Sequence, residues 1–369
     1  METPHLFSTT LLRWFDENGR QLPWRGFTDP YPIWISEVIL QQTRIQQGWE
    51  YWERFMRRWP TVEQLADATE DEVLREWQGL GYYSRARNLH HAAKQVVEMG
   101  GFPKTFNGLR QLKGVGDYTA AAVASMAYGI PVAVVDGNVY RVLARYFGIS
   151  TPINSTEGKK EFAALAQQLL PEKAAATFNQ AIMDFGAVQC VPKSPRCDQC
   201  PLQETCVALG EKRVEDLPVK LRKVKVRERR FAYVYMRCNG ETAIHRRGGR
   251  DIWQGLWEPL FVEGEAHHHM ASLKSGDTLP ISFEAVSEDA VTVGIADSSL
   301  NDGHSMNGRL TLVAKEVKHV LTHRILKADF FIYESDKRPS LPPDYIWIPE
   351  SHIDQYAVPR LVVILLQML

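Results

Sequence analysis

The feature that most restricts this chain is the run Cys190-x6-Cys197-x2-Cys200-x5-Cys206. Pro192, Pro195 and Pro201 lie among these cysteines and bar a continuous helix, so the segment is a loop whose four thiols can surround one metal centre. Zinc accepts four cysteines, but it usually holds them as two short knuckles, and only Cys197-x2-Cys200 has that spacing. The spacing therefore favours a [4Fe–4S] cluster, with zinc as the alternative. Thiols gathered around a metal instead of paired as disulfides predict a reducing compartment, hence a cytoplasmic protein. Cys238 stands apart in a strand-like stretch and is expected to be inert.

The 369 residues suffice for two or three domains, and 44% hydrophobic with 24% charged residues argues against disorder, collagen-like repeats and coiled coil. Lys plus Arg is 43 against 44 acids, a net charge of −1, so any polyanion site must be local. No apolar run approaches the ~18 residues of a membrane span, and Met1-Glu2-Thr3-Pro4-His5 lacks a signal-peptide pattern. No membrane association is expected.

Apolar spacing is helical over 1–216, as in Leu11, Leu12, Phe15 and Val73, Leu74, Trp77, with short turns between about ten helices. Trp14, Trp24, Trp34, Trp49, Trp52, Trp59 and Trp77 fall there and read as core packing. Residues 217–230 carry Lys220, Arg222, Lys223, Lys225, Arg227, Arg229 and Arg230 against Glu228, the pattern of a basic linker that is either solvated or set against phosphates. From 231 to 369 strand patterns appear, in Phe231–Met236, Thr242–His245 and Ala328–Tyr333, followed by a terminal helix over Pro359–Leu369. The expected architecture is thus an all-α domain followed by a smaller α/β domain, with loops over Lys274–Asn307.

Two further signals carry chemistry. In Leu112-Lys113-Gly114-Val115-Gly116-Asp117-Tyr118, two glycines let the chain turn sharply and present backbone N–H groups at a helix start, as an anion site for a DNA phosphate requires. Alone, such a turn could equally cap a helix. The other signal is a pair of acids, Glu37 among Ile35, Val38, Ile39 and Leu40, and Asp136 in Val135-Asp136-Gly137-Asn138-Val139. Glu37 could be a surface acid and Asp136 an N-cap. A half-buried Glu37 with a raised pKa beside an ionised partner is instead what N-glycosidic cleavage needs.

Together the cysteine loop, Leu-Lys-Gly-Val-Gly, Val-Asp-Gly-Asn-Val, Ser36-Glu-Val-Ile-Leu-Gln-Gln-Thr43 and Gly79-Leu-Gly-Tyr-Tyr-Ser-Arg-Ala-Arg-Asn88 resemble the MutY family of adenine DNA glycosylases, in the helix-hairpin-helix superfamily. The resemblance is strong through residue 216 and weaker beyond. It implies removal of adenine mispaired with 8-oxoguanine or guanine in duplex DNA after base flipping, by a monomer. It also implies that Glu37 protonates adenine N7, that Asp136 stabilises the oxocarbenium ion and that Asn138 helps hold the site. Tyr118 stands where the endonuclease III type carries a Schiff-base lysine, so a glycosylase without strong lyase activity is implied. Gln42 and Tyr82 match residues that wedge into the duplex.

The last third resembles the family's Nudix-like module through Gly255-Leu-Trp-Glu-Pro259, but lacks the Arg-Glu-x-x-Glu-Glu helix that a metal-dependent Nudix hydrolase needs. A pyrophosphatase is therefore not expected, and His267-His268-His269 reads as an exposed loop. The implied role is lesion reading through Thr322 and His323 in Val320-Leu-Thr-His-Arg324, with Leu321 departing from the family's aromatic residue. The rival readings are a pyrimidine-lesion glycosylase with lyase activity and a catalytically silent lesion-binding protein.

Overall fold

The computed structural model describes residues 2–221, 226–249, 251–271, 281–287, 290–295, 308–321, 323–339 and 341–369. Its contacts divide the chain into two compact units, Met1–Ala68 with Arg87–Lys223, and Thr69–Ala86 with Val224–Leu369. The stretch 69–86 lies wholly within the helical region of the sequence, so its grouping with the second unit has no counterpart in side-chain periodicity.

The helices in chain order are α1 (Glu2–Asn18), α2 (Pro30–Ile39), α3 (Ile45–Arg58), α4 (Val62–Asp67), α5 (Glu70–Glu76), α6 (Ser84–Glu98), α7 (Phe106–Leu109), α8 (Asp117–Tyr128), α9 (Gly137–Phe147), α10 (Thr156–Leu169), α11 (Ala175–Asp184) and α12 (Val207–Gly210). Helix α2 starts under an Asp29 cap with Pro30 in its first turn, and Tyr31 through Ile39 are all buried. A helix apolar on every side belongs inside a core, and it carries Glu37 in with it. Against it packs α8, whose Thr119–Ser125 stretch of small residues is buried throughout. Phe7, Leu11 and Trp14 of α1 close a second core region with Val142, Phe162, Phe178 and Phe185. Six of the seven tryptophans noted above are buried, and Trp49 is half-buried against Trp24. Among the described residues no helix is long and apolar enough to cross a membrane.

The second unit adds β1 (Arg227–Arg237), β2 (Glu241–Arg246), β3 (Trp257–Glu258), β4 (Leu260–Glu263), α13 (Glu265–Ala271), β5 (Ile281–Ser287), β6 (Ala290–Ile295), β7 (Gly308–Val320), β8 (Arg324–Ser335), β9 (Tyr345–Pro349) and α14 (Arg360–Leu366). One sheet has the order β4-β1-β8-β7, with β1 and β8 parallel, and another has the order β3-β2-β9. Strand β1 is buried on both faces over Phe231–Met236. Ala232, Val234 and Met236 join one core cluster, while Phe231, Tyr233 and Tyr235 join the cluster that α14 covers.

Three expectations are corrected here. The end of the basic stretch is not linker, because Arg227–Arg230 open β1. There Arg229 binds Glu263 and Asp251, and Arg230 binds Glu316 as well as its neighbour Glu228, so carboxylates distant in sequence pair with both arginines. Within 274–307, β5 and β6 form an antiparallel pair, their alternation hidden by a Ser-, Gly- and Asp-rich setting. The histidine triplet lies in α13 and not in an exposed loop, with His267 buried and its Nε2 3.0 Å from Asp329 Oδ2.

Asp329 also accepts the Glu316 N–H at 2.7 Å, which holds an irregular stretch of β7. His267→Ala removes a buried hydrogen-bond partner of the Asp329 carboxyl and should destabilise the second unit by about 2 kcal/mol. An unchanged melting temperature would contradict this.

Candidate active site

Glu37, Tyr118, Asp136 and Asn138 come together in the first unit from α2, from the first turn of α8 and from the start of α9. Burial is the main influence on Glu37 and, with the charge of Asp136 adding to it, pushes the carboxyl up to about 7 against the Tyr118 phenol and Arg25, which draw it down. The Tyr118 hydroxyl is hydrogen-bonded to Glu37 and lies 3.3 Å from Met183 Sδ. Burial and the neighbouring carboxylates hold it well above its ordinary value, so it stays protonated at neutral pH.

Asp136 is the N-cap of α9, so the structural role open to it from sequence is real. One oxygen accepts the backbone N–H groups of Asn138 (2.9 Å) and Val139 (2.8 Å), and the other accepts the Asn138 Nδ2 (2.9 Å). Burial raises its pKa, and these bonds together with Arg141 favour the anion and pull it back. Of two acids that cannot easily ionise together, Asp136 has the donors that hold charge and Glu37 has the surroundings that hold a proton.

Arg141 ties this site to the cysteine loop. Its guanidinium donates to Asn138 Oδ1 at 2.8 Å, to the Gly186 carbonyl at 2.6 Å and to the Cys190 carbonyl at 2.8 Å. Residues Phe185–Gln189 form a π-helical turn passing so close to Asn138 that a Cβ on Gly186 would lie 2.6 Å from Asn138 Cβ. Arg145, one helical turn on, donates to the carbonyls of Val191, Pro192 and Leu217 and approaches Cys190 Sγ at 3.5 Å. Neither arginine was singled out from the sequence. Nor was Asp184, fully buried, which accepts two-pronged bonds from both Arg20 and Arg25. Despite its burial, those guanidinium bonds hold its carboxyl below the usual range, and they fix Arg25 within electrostatic reach of Glu37.

All four cysteines, Cys190, Cys197, Cys200 and Cys206, line one cavity together with Arg145, Gln189 and Gln203. Among the described residues no three His, Cys, Asp or Glu side chains converge closely enough to hold a single ion. Four thiols around one cavity can hold an iron–sulfur cluster. Burial and mutual crowding raise Cys197 and Cys206 and push Cys200 up to about 11, a penalty that positively charged iron would offset.

In the hairpin between α7 and α8, Gly114 has φ +76° and Gly114 and Gly116 are exposed, while Val115 is buried and anchors the turn. A Cβ at Gly114 would meet Asn88 Cβ at 2.6 Å, so the position combines a glycine backbone with a close approach. Gln42 is exposed at the end of α2 with φ +58°. Tyr82 belongs to the second unit and is 48% exposed with φ +48°. His323 is exposed between β7 and β8, and its carbonyl accepts the Arg227 N–H at 3.2 Å. Thr322 lies outside the described residues, and Leu321 packs on the cluster under α14.

A helical hairpin with exposed glycines, an unequal pair of carboxyls and a four-cysteine cavity define a helix-hairpin-helix DNA glycosylase. The comparisons with known proteins agree. The HhH-GPD superfamily of base excision DNA repair proteins matches residues 35–172, the iron–sulfur binding domain of endonuclease III matches 190–206, and the NUDIX domain matches 232–368. The adenine DNA glycosylase of Buchnera aphidicola (subsp. Schizaphis graminum) is 34% identical over 258 residues, 69% of this chain and 74% of that protein. The Schizosaccharomyces pombe enzyme of the same name is 34% identical over 94% of this chain and 86% of its own length, and the human one 45% identical over 55% and 39%. The chain therefore belongs to the adenine DNA glycosylase family. A thermostable thymine-DNA glycosylase of solved structure matches with a TM-score of 0.53 at 32% identity, covering 56% of this chain and 97% of that one. An endonuclease III–DNA covalent intermediate at 24% identity and a TM-score of 0.50 shares the fold of the helical part. The protein is a base excision repair glycosylase that binds DNA, hydrolyses N-glycosyl bonds and carries an iron–sulfur cluster.

Arg141→Gln removes the fork that joins Asn138 to the cysteine loop. Glycosylase turnover should fall about 10–100-fold, the range for losing a supporting shell, while the protein keeps its iron. Unchanged turnover at full iron content would remove Arg141 from the support of the site.

Proposed function

We propose that the chain excises adenine mispaired with 8-oxoguanine or guanine in duplex DNA, acting on an adenosine flipped out of the helix. The observation that carries this reading is the unequal pair of acids, Glu37 pushed up to about 7 and Asp136 held by three hydrogen-bond donors. Glu37 gives its proton to adenine N7, which lets the base leave neutral. Asp136 steadies the positive charge left on the sugar until water adds at that carbon. Asn138 orients Asp136 through its Nδ2. The Tyr118 phenol cannot form an imine, so the product is an abasic site in an intact strand.

Gly114, Val115 and Gly116 form the phosphate-binding turn, Gln42 and Tyr82 wedge the duplex, and Thr322 and His323 read the opposite base. Cys190, Cys197, Cys200 and Cys206 hold the cluster, whose type is [4Fe–4S] on the spacing of its ligands. The protein works as a cytoplasmic monomer, with residues 1–216 carrying the glycosylase domain, 217–226 connecting it, and β1 opening the recognition domain at Arg227.

Two experiments test this. Because the active form holds the Glu37 proton, single-turnover excision should fall as pH rises through about 7, approaching tenfold per unit above it. Glu37→Gln should lose at least about a hundredfold in rate and lose that slope. A Glu37→Gln enzyme with near-normal excision would remove Glu37 from the mechanism.

Second, excision opposite 8-oxoguanine should exceed that opposite guanine, and adenine paired with thymine should resist. Replacing Thr322 and His323 with Ala should cost about ten- to a hundredfold on the 8-oxoguanine duplex and little on the guanine duplex. Equal losses on both would place recognition elsewhere.

A further inference from the structure

Between α5 and α6 the chain makes an arch in which Gly79, Gly81 and Tyr82 have φ of 101°, 73° and 48°. Glycine enters this region freely, but an aromatic residue does so at a cost, and such a conformation persists only when its surroundings impose it. The groups that impose it are visible. Trp77 is fully buried and donates its indole N–H to the Gly81 carbonyl at 3.0 Å. The Arg85 guanidinium donates to that carbonyl at 3.3 Å and to the Leu80 carbonyl at 3.4 Å, and the Arg85 backbone N–H donates to the Tyr82 carbonyl at 2.8 Å. The same guanidinium lies over two rings, 5.0 Å from the centre of Trp77 and 5.6 Å from that of Tyr82. Tyr82 is 48% exposed, whereas Arg85 is only 9% exposed.

A guanidinium taken out of water in this way pays its desolvation through carbonyl oxygens and ring faces, and burial lowers its pKa only to about 10, so it keeps its charge. It is a poor candidate for a phosphate contact, since it is buried and its Nη2 donates to carbonyls of the arch. What it does hold is the angle of the one exposed ring.

We infer that Arg85 is a positioning residue that presets the Tyr82 ring for insertion into the base stack, so that the strained arch reaches the duplex already in its wedging conformation. This rests on the reading of Tyr82 as a wedge. An unanchored ring would have to be ordered at each encounter, and ordering it would slow extrusion.

The test uses full-length, iron-loaded protein and an adenine mispair flanked by 2-aminopurine, whose fluorescence rises when neighbouring bases unstack. Tyr82→Ala, Arg85→Met, Arg85→Lys and the Tyr82→Ala/Arg85→Met double variant are compared for fluorescence amplitude, single-turnover rate, melting temperature and iron content. Arg85→Met should lower both the amplitude and the rate about tenfold at unchanged iron content, the size of one desolvated cation–π contact. Arg85→Lys keeps a charge but not the planar fork, and should fall between Met and wild type. In the Tyr82→Ala background, Arg85→Met should add almost nothing, because the ring it positions is gone.

If Tyr82→Ala alone impairs extrusion but the two losses multiply, or if Arg85→Met unstacks the duplex normally, the positioning role is overturned while the wedge stands. If Tyr82→Ala extrudes like wild type, the wedge reading fails and the inference falls with it. Should Arg85→Met lose iron or melt early, Arg85→Lys at wild-type stability decides. Wild-type fluorescence from it overturns the role of the fork, and reduced fluorescence that Tyr82→Ala abolishes supports it.

Discussion

Two neighbouring carboxyls, one buried and one largely withdrawn from water, cannot both be charged at little cost, and much of the first unit is arranged to decide which one gives way. Glu37 sits on a helix that is buried around its whole circumference, so its anion has few donors and burial prevails. Asp136 sits at a helix N-terminus, where backbone N–H groups are available and a negative charge is favoured. The division of labour between acid and anion follows from where each residue enters its helix. The Tyr118 phenol and, to a smaller extent, Arg25, held two-pronged on Asp184, limit how far Glu37 can rise, so its carboxyl lies at about 7 and does not become a permanently neutral acid.

The anion needs to be held still as well as charged. Asn138 does this directly, and Arg141 does it for Asn138 by bonding at once to its amide oxygen and to the carbonyls of Gly186 and Cys190. The backbone of the cysteine loop is thereby part of the scaffold of the acid pair. Arg145 fastens the next stretch of the same loop to α9. A cluster filling the cavity would give this scaffold its rigidity, a contribution separate from any redox chemistry of iron.

Much of this was legible in the sequence, and the rest was hidden for identifiable reasons. The cysteine spacing, the glycine turn and the apolar setting of Glu37 are local signals, and each has its structural counterpart. Asp184 and Arg25 are 159 residues apart and Arg141 is 49 from Cys190, so nothing local marks those pairs. Arg227–Arg230 read as a linker because a run of one charge conceals partners that arrive from β4, from β7 and from Asp251. His267 read as exposed because a histidine run is polar by composition, and only the fold brings Asp329 beneath it.

The central claim is that Glu37, and not Asp136, carries the exchangeable proton. Infrared difference spectroscopy of the full-length enzyme during a pH titration observes it directly, with glutamate and aspartate carboxyls labelled with carbon-13 in separate samples. A protonated glutamate carbonyl band should persist until about pH 7, shift in the glutamate-labelled sample only, and vanish in Glu37→Gln. A band that persists in Glu37→Gln but shifts with aspartate labelling and vanishes in Asp136→Asn would reverse the assignment of acid and anion.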